Sequence, residues 1–107
     1  MNPLQRTAHY IRRTATYGRV YFALIDRWLS ACDEGDGPLM ARLEKRESKM
    51  EEAMNRALDL ARAARPKGMG WTTFYSIAEA LTAHYGREFY GFRPVPNEEL
   101  LRRFDLI

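Results

Sequence analysis

The sequence predicts an all-α protein: a long helical hairpin, a third helix, an aromatic loop and a short C-terminal helix in a small bundle. Apolar residues recur at alternating spacings of four and three over the first third of the chain, which is the period of one helix face. Glycine and proline then interrupt the chain at residues 33–38, at Pro66 and at Gly86. A chain of 107 residues with 46% hydrophobic residues has the size of one domain with one core, so residues 1–107 are expected to form a single helical domain.

The first predicted helix carries two neighbouring apolar stripes. The first stripe consists of Leu4, Ala8, Ile11, Ala15, Gly18, Phe22, Ile25, Leu29 and Cys32, and the second of Tyr10, Thr14, Tyr17, Tyr21, Leu24, Trp28 and Ala31. Pro3 suits a first helical turn, and Gly18 leaves room for a close helix crossing or a kink. Because one neighbouring helix covers only one stripe, we expect part of the second stripe to lack cover within the chain.

The acidic segment 33–38 predicts a tight turn whose side chains cap the next helix. A second helix over residues 38–64 follows, and its apolar positions are Leu39, Leu43, Met50, Met54, Ala57, Leu58 and Ala61. The short turn makes the two helices antiparallel. Since a helix of this length extends for about 42 Å, the hairpin must protrude from a compact domain, bend or be paired.

A third helix is predicted over residues 72–85, with Gly86 as its C-terminal stop. Residues 87–96 predict an ordered loop held by aromatic side chains, with a short strand as the alternative. Asn97 is expected to cap a last helix, whose first turn is acidic and whose last turn is basic, as the helix dipole favours.

Charge and composition restrict the class of protein. The formal net charge is +3, and it is uneven, because residues 1–30 carry five arginines against Asp26 while residues 31–60 carry five basic and eight acidic residues. No stretch approaches the roughly 20 apolar residues that a bilayer requires, and residues 1–10 contain no apolar run of signal-peptide length. We therefore expect a cytoplasmic protein without a membrane span. The excess of arginine over lysine hints at a GC-rich bacterial or phage genome.

Residue patterns that carry catalysis are not recognisable in the sequence. His9 and His84 stand at no ligand spacing from Cys32 or from each other, and a lone cysteine forms neither an intramolecular disulfide nor a multi-cysteine metal cluster. The glycine-rich run 67–73 lacks the residue order of a phosphate loop, so it is either a structural connection or a weak anion contact. We expect no catalytic residue, no cofactor and no metal, and therefore a non-enzymatic protein.

Aromatic residues without evident cover predict a surface for a partner protein. Interfaces are enriched in Tyr, Trp and Arg. The candidate residues are Tyr10, Tyr17, Tyr21, Leu24 and Trp28 of the first helix and Phe89, Tyr90, Phe92 and Arg93 of the aromatic loop. The functional hypothesis is a small bacterial or phage-encoded inhibitor or regulator that acts by binding a partner protein. The same stripe predicts a homodimer around the first helix, in which oppositely charged thirds of two copies lie together.

The arginines of the first helix support an alternative, a small DNA- or RNA-binding regulator. Arginine beside aromatic residues is the combination that neutralises phosphates and stacks on bases. The candidate residues are Arg6, Arg12, Arg13, Arg19 and Lys67. The sequence does not predict a helix-turn-helix motif. That motif has a turn of three or four residues, whereas about ten residues with two prolines separate the two helices within residues 76–103.

Overall fold

The computed structural model describes residues 1–90 and 95–107, and this part of the chain contains four helices. They are α1 (Pro3–Glu34), α2 (Gly37–Ala63), α3 (Trp71–Tyr90) and α4 (Glu98–Arg103). No strand occurs within the described ranges. The predicted all-α bundle is therefore confirmed.

Local hydrogen bonds set the ends of the hairpin helices. The Asn2 side chain accepts a hydrogen bond from the Gln5 amide at 2.8 Å, and the Gln5 side chain accepts one from the Asn2 amide at 3.2 Å, which together form a capping box on α1. Gly35 ends α1 in the left-handed conformation, with a φ of 69°. Asp36 then caps α2 by accepting a hydrogen bond from the Leu39 amide at 3.1 Å. The predicted turn and its acidic cap are confirmed.

Two buried clusters divide the hairpin into a proximal half, where α3 and α4 pack, and a distal half, which ends at the Gly35 turn. The proximal core consists of Ala8, Ile11, Ala61, Phe74, Ile77, Ala80, Leu81 and Leu101. The distal core consists of Leu24, Ala31 and Leu43, with Trp28, Leu39, Met40 and Met50 packed against it. The chain measures 51 × 29 × 22 Å, so the hairpin protrudes, which was one of the outcomes that its length allowed.

The buried face of α1 moves from one apolar stripe to the other along the helix. Ile11 of the first stripe is buried in the proximal half, whereas Leu24 and Ala31 of the second stripe are buried in the distal half. Phe22 and Leu29 of the first stripe are 57% and 52% exposed. The expectation that the second stripe lacks cover is therefore wrong, because α2 packs on it. The buried face changes because α3 and α4 cover the first stripe in the proximal half, whereas in the distal half the buried residues of α1 pack against Leu43 of α2.

Helix α3 is longer than the sequence predicts. It begins at Trp71 and continues through Gly86 to Tyr90, so the predicted stop at Gly86 is wrong and residues 87–90 belong to a helix rather than to a loop. Glycine inside a helix costs about 1 kcal/mol relative to alanine, but Gly86 lies beside Gly18 and Phe22, where α3 packs on α1. Tertiary packing therefore overrides the local signal. The remainder of the predicted aromatic loop, residues 91–94, lies outside the described residues.

Helix α4 closes the proximal core. Leu101 is fully buried there, and Arg102 lies 3.7 Å from Glu98 across one turn. The predicted side-chain cap from Asn97 is wrong, because this residue is left-handed, with a φ of 54°, and its side chain makes no capping hydrogen bond. A capping residue normally has an extended backbone that places its side-chain oxygen over the first turn.

Candidate functional site

The residues of α1 that were predicted to bind a partner mostly face α2. Leu24 is buried, and Tyr17, Tyr21 and Trp28 are half-buried. The indole Nε1 of Trp28 donates a hydrogen bond to Glu44 Oε1 of α2 at 3.1 Å. Much of the surface of these side chains therefore contacts other parts of the hairpin and holds α1 and α2 together.

The other predicted partner residues lie at the opposite end of the bundle or beyond the described side chains. Tyr10 is half-buried against the proximal core. Phe89 and Tyr90 belong by their backbone to the last turn of α3, but their side chains lie outside the described part of the chain, as do Phe92 and Arg93.

The side of the hairpin on which α3 packs continues along α1 and α2 into the distal half. In the proximal half α3 covers this side, and near the end of α3 a hollow of about 210 Å³ lies among Gly18, Phe22, Met54 and Gly86. Residues seven apart lie on one line of a helix, so the wall at Phe22 continues to Leu29, and the wall at Met54 continues towards the turn. Phe22 and Met54 line the hollow itself. Helical spacing extends this surface, which we call the distal groove, to Ile25, Leu29 and Cys32 of α1 and to Met40 and Glu47 of α2.

The rims of the distal groove are acidic. Arg19 lines the hollow beside Phe22, and the next two positions on its line of α1 are Asp26 and Asp33, both exposed. On α2 the outer rim carries Glu44 and Glu51, which are also exposed and flank Glu47. Glu47 itself is half-buried, and its Oε1 is buried and accepts no hydrogen bond from any described residue.

The opposite side of the hairpin is positively charged. Arg13, Tyr17, Ala53 and Arg56 line a second, smaller hollow between α1 and α2. Steps of seven residues from these positions lead to further cations, so this side, which we call the cationic face, carries Arg13, Arg27, Arg42, Arg46, Lys49 and Arg56. All six are exposed, and none of them forms an ion pair with another described residue.

The arginines predicted to contact nucleic acid are divided between two sides of α1. Arg6, Arg12, Arg13 and Arg19 are all exposed. However, the Arg12 guanidinium lies 5.3 Å over the ring of Tyr85 on α3, and Arg19 lines the hollow beside α3. Arg13 belongs to the cationic face, where it donates a hydrogen bond to the Tyr17 hydroxyl at 3.0 Å, and Arg6 lies seven residues before it on the same line of α1.

Sequence reasoning missed the cations that α2 contributes to this face. The middle third of the chain has a net negative charge, so the sequence did not indicate a nucleic-acid surface there. The signal that identifies these cations is their spacing, because Arg42, Lys49 and Arg56 are seven residues apart. Lys67, the other predicted nucleic-acid residue, is exposed in the connection between α2 and α3.

Two arginines stabilise that connection: Arg62 in the last turn of α2 and Arg65 just after the helix ends. Arg65 donates a hydrogen bond to the Met69 carbonyl and lies 4.1 Å over the ring of Trp71. The Arg62 guanidinium donates a hydrogen bond to the Tyr75 hydroxyl at 3.2 Å, and this bond raises the pKa of Arg62, which therefore stays charged. These contacts support the structural interpretation of the glycine-rich run.

Among the side chains that the structure describes, no group of three or more His, Cys, Asp or Glu is placed to hold a metal ion. None of the described helices has the length and apolar character needed to cross a bilayer.

Comparison with known proteins does not identify a relative, because no known protein family, no curated protein and no solved structure matches this chain.

Proposed function

We propose that this protein is a non-enzymatic inhibitor or regulator that binds a partner protein through the distal groove. The observation that carries the proposal is the exposure of Phe22 and Leu29, at 57% and 52%, on one line of the distal half of α1. Large apolar side chains that are exposed together mark interaction sites. The proposed contact surface thus moves from Tyr17 and Trp28 to the neighbouring stripe of the same helix.

Burial of Phe22 and Leu29 would supply part of the binding free energy of a complex. Full burial of a Phe or Leu side chain contributes about 1.5–3 kcal/mol, so removing the remaining exposed area of Phe22 and Leu29 contributes together about 2–3 kcal/mol. That corresponds to about 30- to 150-fold in affinity. The two residues are therefore expected to act as binding hot spots.

Selection of binders from a displayed library of protein fragments tests the proposal. Binders of the wild-type protein should lose at least about tenfold in affinity for the double variant Phe22→Ser and Leu29→Ser. Leu60→Ser is the matched control, because Leu60 is 41% exposed and lines the hollow on the cationic face. Binders that retain full affinity for the double variant would contradict the proposal.

Nucleic-acid binding through the cationic face is the second candidate function. It is supported by the row of unpaired cations, in which Arg42, Lys49 and Arg56 follow one another at about 10.5 Å along α2. A polyanion with regularly spaced phosphates complements such a row. The dependence of affinity on salt distinguishes this function from protein binding at the distal groove.

The homodimer and the cytoplasmic location remain predictions. The surface first expected to form the dimer is partly covered, because Tyr21 and Trp28 are half-buried and Trp28 packs against the distal core. A second copy would therefore have to use side chains that are still exposed, and Phe22 and Leu29 are the largest of these on the distal half of α1.

A further inference from the structure

We infer that the nucleic acid bound by the cationic face is single-stranded, and that one of its bases lies against the hollow between Arg13 and Arg56, an inference that rests on the second candidate function. Three features of the structure support it: the side chains that line the hollow, the cations that surround it and the breadth of the hairpin.

The hollow places an apolar surface between two arginines. It has a volume of about 60 Å³ and is lined by Arg13, Tyr17, Ala53, Arg56, Ala57 and Leu60. Leu60 is 41% exposed and Tyr17 is half-buried, so a bound molecule reaches both side chains. A flat base would lie across a hollow of this size, with its ring over Leu60 and its phosphates beside the two arginines.

Arg13 and Tyr17 provide the contacts that an unpaired base requires. The Arg13 guanidinium donates a hydrogen bond of 3.0 Å to the Tyr17 hydroxyl and lies 5.9 Å from the centre of the Tyr17 ring. Proteins stack unpaired bases on aromatic rings and on the planes of arginine guanidinium groups. These two side chains, which the hydrogen bond holds together, therefore form one wall of a site for a base.

Further cations continue on both sides of the hollow. Lys49 and Arg42 lie about 10.5 and 21 Å from Arg56 along α2, in the direction of the turn. On α1, Arg6 lies about 10.5 Å from Arg13 in the opposite direction. All of these side chains are exposed, and the described residues offer them no ion pair. The phosphates that precede and follow the bound base would therefore meet positive charge.

An acidic peptide is a less suitable ligand than a nucleic acid. Its carboxylates would pair with the cations, but it has no flat ring to cover Leu60 and Tyr17. Two acidic residues also border the cationic face, Glu34 at the end of α1 and Glu52 one turn before Arg56. Both are exposed, so they lower the positive potential only at its edges.

The breadth of the hairpin favours a single strand over a duplex. The major groove of B-DNA is about 12 Å wide and admits one helix, whereas the cationic face is a side that two packed helices share, in a chain 22 Å across at its narrowest. A duplex would present sugars and phosphates to this face and keep its bases out of reach of Leu60. A single strand turns its bases towards the protein.

Three labelled probes of about 12 nucleotides test the inference, namely a thymidine strand, an adenosine–thymidine duplex and an abasic strand with the same phosphates. Fluorescence anisotropy at low salt should show the thymidine strand binding at least about tenfold more tightly than the abasic strand, since stacking adds to the phosphate contacts. The duplex should bind less tightly than the thymidine strand. A polyglutamate peptide of the same net charge is the fourth probe.

Variants of the hollow locate the base. Leu60→Ser and Tyr17→Leu should each weaken binding of the thymidine strand by about fivefold or more and leave binding of the abasic strand within about twofold. Tyr17→Leu keeps an apolar side chain at a half-buried position, and Leu60 is largely exposed, so both variants should fold, which circular dichroism checks. Leu29→Ser is the matched control, because Leu29 is 52% exposed and lies outside the cationic face.

The outcomes separate this inference from the function on which it rests. A duplex that binds more tightly than the thymidine strand, and that Arg42→Ala with Arg46→Ala weakens, would overturn the single strand while nucleic-acid binding at the cationic face stands. Equal affinities for the thymidine and abasic strands, or equal losses for both in Leu60→Ser and Tyr17→Leu, would overturn the base contact. Equally tight binding of polyglutamate would assign the face to an acidic protein. If none of the probes binds, the second candidate function fails together with the inference.

Discussion

Trp28 of α1 and Glu44 of α2 are joined by a hydrogen bond of 3.1 Å from the indole Nε1 to the carboxylate Oε1. The bond crosses the distal half of the hairpin, where Leu24 and Leu43 form the core beneath it. Trp28 was a candidate for partner binding because of its residue type. Its position instead makes it a structural residue of the hairpin, and its carboxylate partner forms part of one rim of the distal groove.

Replacing Trp28 is therefore expected to affect stability first. Trp28→Ala should lower the free energy of unfolding by about 2–3 kcal/mol, since a half-buried indole and its hydrogen bond are lost together. Trp28→Phe, which removes mainly the hydrogen bond, should cost about 1 kcal/mol or less. Urea denaturation measures both changes. An unchanged midpoint for Trp28→Ala would mean that the indole does not hold the helices together.

At the proximal end of the hairpin, the buried residue Thr7 connects the start of α1 to the end of α2. Thr7 Oγ1 lies 3.0 Å from the Ala64 carbonyl oxygen and from the Pro3 carbonyl oxygen, and the residue is 1% exposed. Thr7→Val should lower the free energy of unfolding by about 1–2 kcal/mol. Thr16→Val is the control, since Thr16 is exposed and bonds only within its own helix, to Arg12; its effect should stay within about 0.5 kcal/mol. Equal effects of the two variants would contradict this assignment.

Two glycines should respond to alanine with opposite signs. A Cβ on Gly18 would lie 3.8 Å from Met54 Cε, an ordinary contact, so the close helix crossing expected from the sequence does not require this glycine. Gly18→Ala should raise the free energy of unfolding by about 1 kcal/mol, the difference in helix propensity. Gly35→Ala should lower it by about 1 kcal/mol, because the φ of 69° at this position strains an L-residue. Thermal melts of both variants provide the measurement, and a loss of stability in Gly18→Ala would be the contrary result.

Sedimentation equilibrium tests the predicted homodimer. Tyr21→Glu would place a charge on a half-buried residue and so disturb the hairpin itself. Phe22→Ser with Leu29→Ser is the better variant, because both residues are largely exposed. If two copies pair through α1, this variant should shift the dissociation constant upward by at least about tenfold. A wild type that stays monomeric at high micromolar concentration would exclude the homodimer.

The salt dependence of DNA or RNA binding tests the cationic face. If this face neutralises phosphates, affinity should fall steeply with ionic strength, and Arg42→Ala with Arg46→Ala should reduce the logarithmic slope by roughly 2. Arg102→Ala with Arg103→Ala is a control pair of exposed arginines on α4. Absence of any gel retardation at low salt, with protein free of contaminating nucleic acid, would remove this candidate function.

Periodicity and turn chemistry were sufficient to predict the helices from sequence. The hairpin, its turn and the acidic cap at Asp36 follow from local rules, which depend on residues no more than four apart. The signals that failed were also local. Gly86 did not stop α3, since packing against α1 outweighs the propensity of one glycine.

The candidate site could be predicted only in part. The sequence identified α1 as the helix with more apolar surface than one neighbour covers, and it identified the opposite charges of the first and middle thirds. It could not assign the uncovered residues, because either stripe is apolar enough to face a neighbouring helix and the two lie about 100° apart around α1. Spacing alone therefore placed the surface at Tyr17 and Trp28.

The sequence by itself determined the four helices of the described residues and the two apolar stripes of α1. Only the tertiary structure decided which stripe faces α2, and hence that Phe22 and Leu29 remain exposed between acidic rims while the cations of α2 lie on the other side. The physical reason is that helix formation is governed by contacts one turn apart, whereas the rotation of one helix against another is set by all side chains of the interface together.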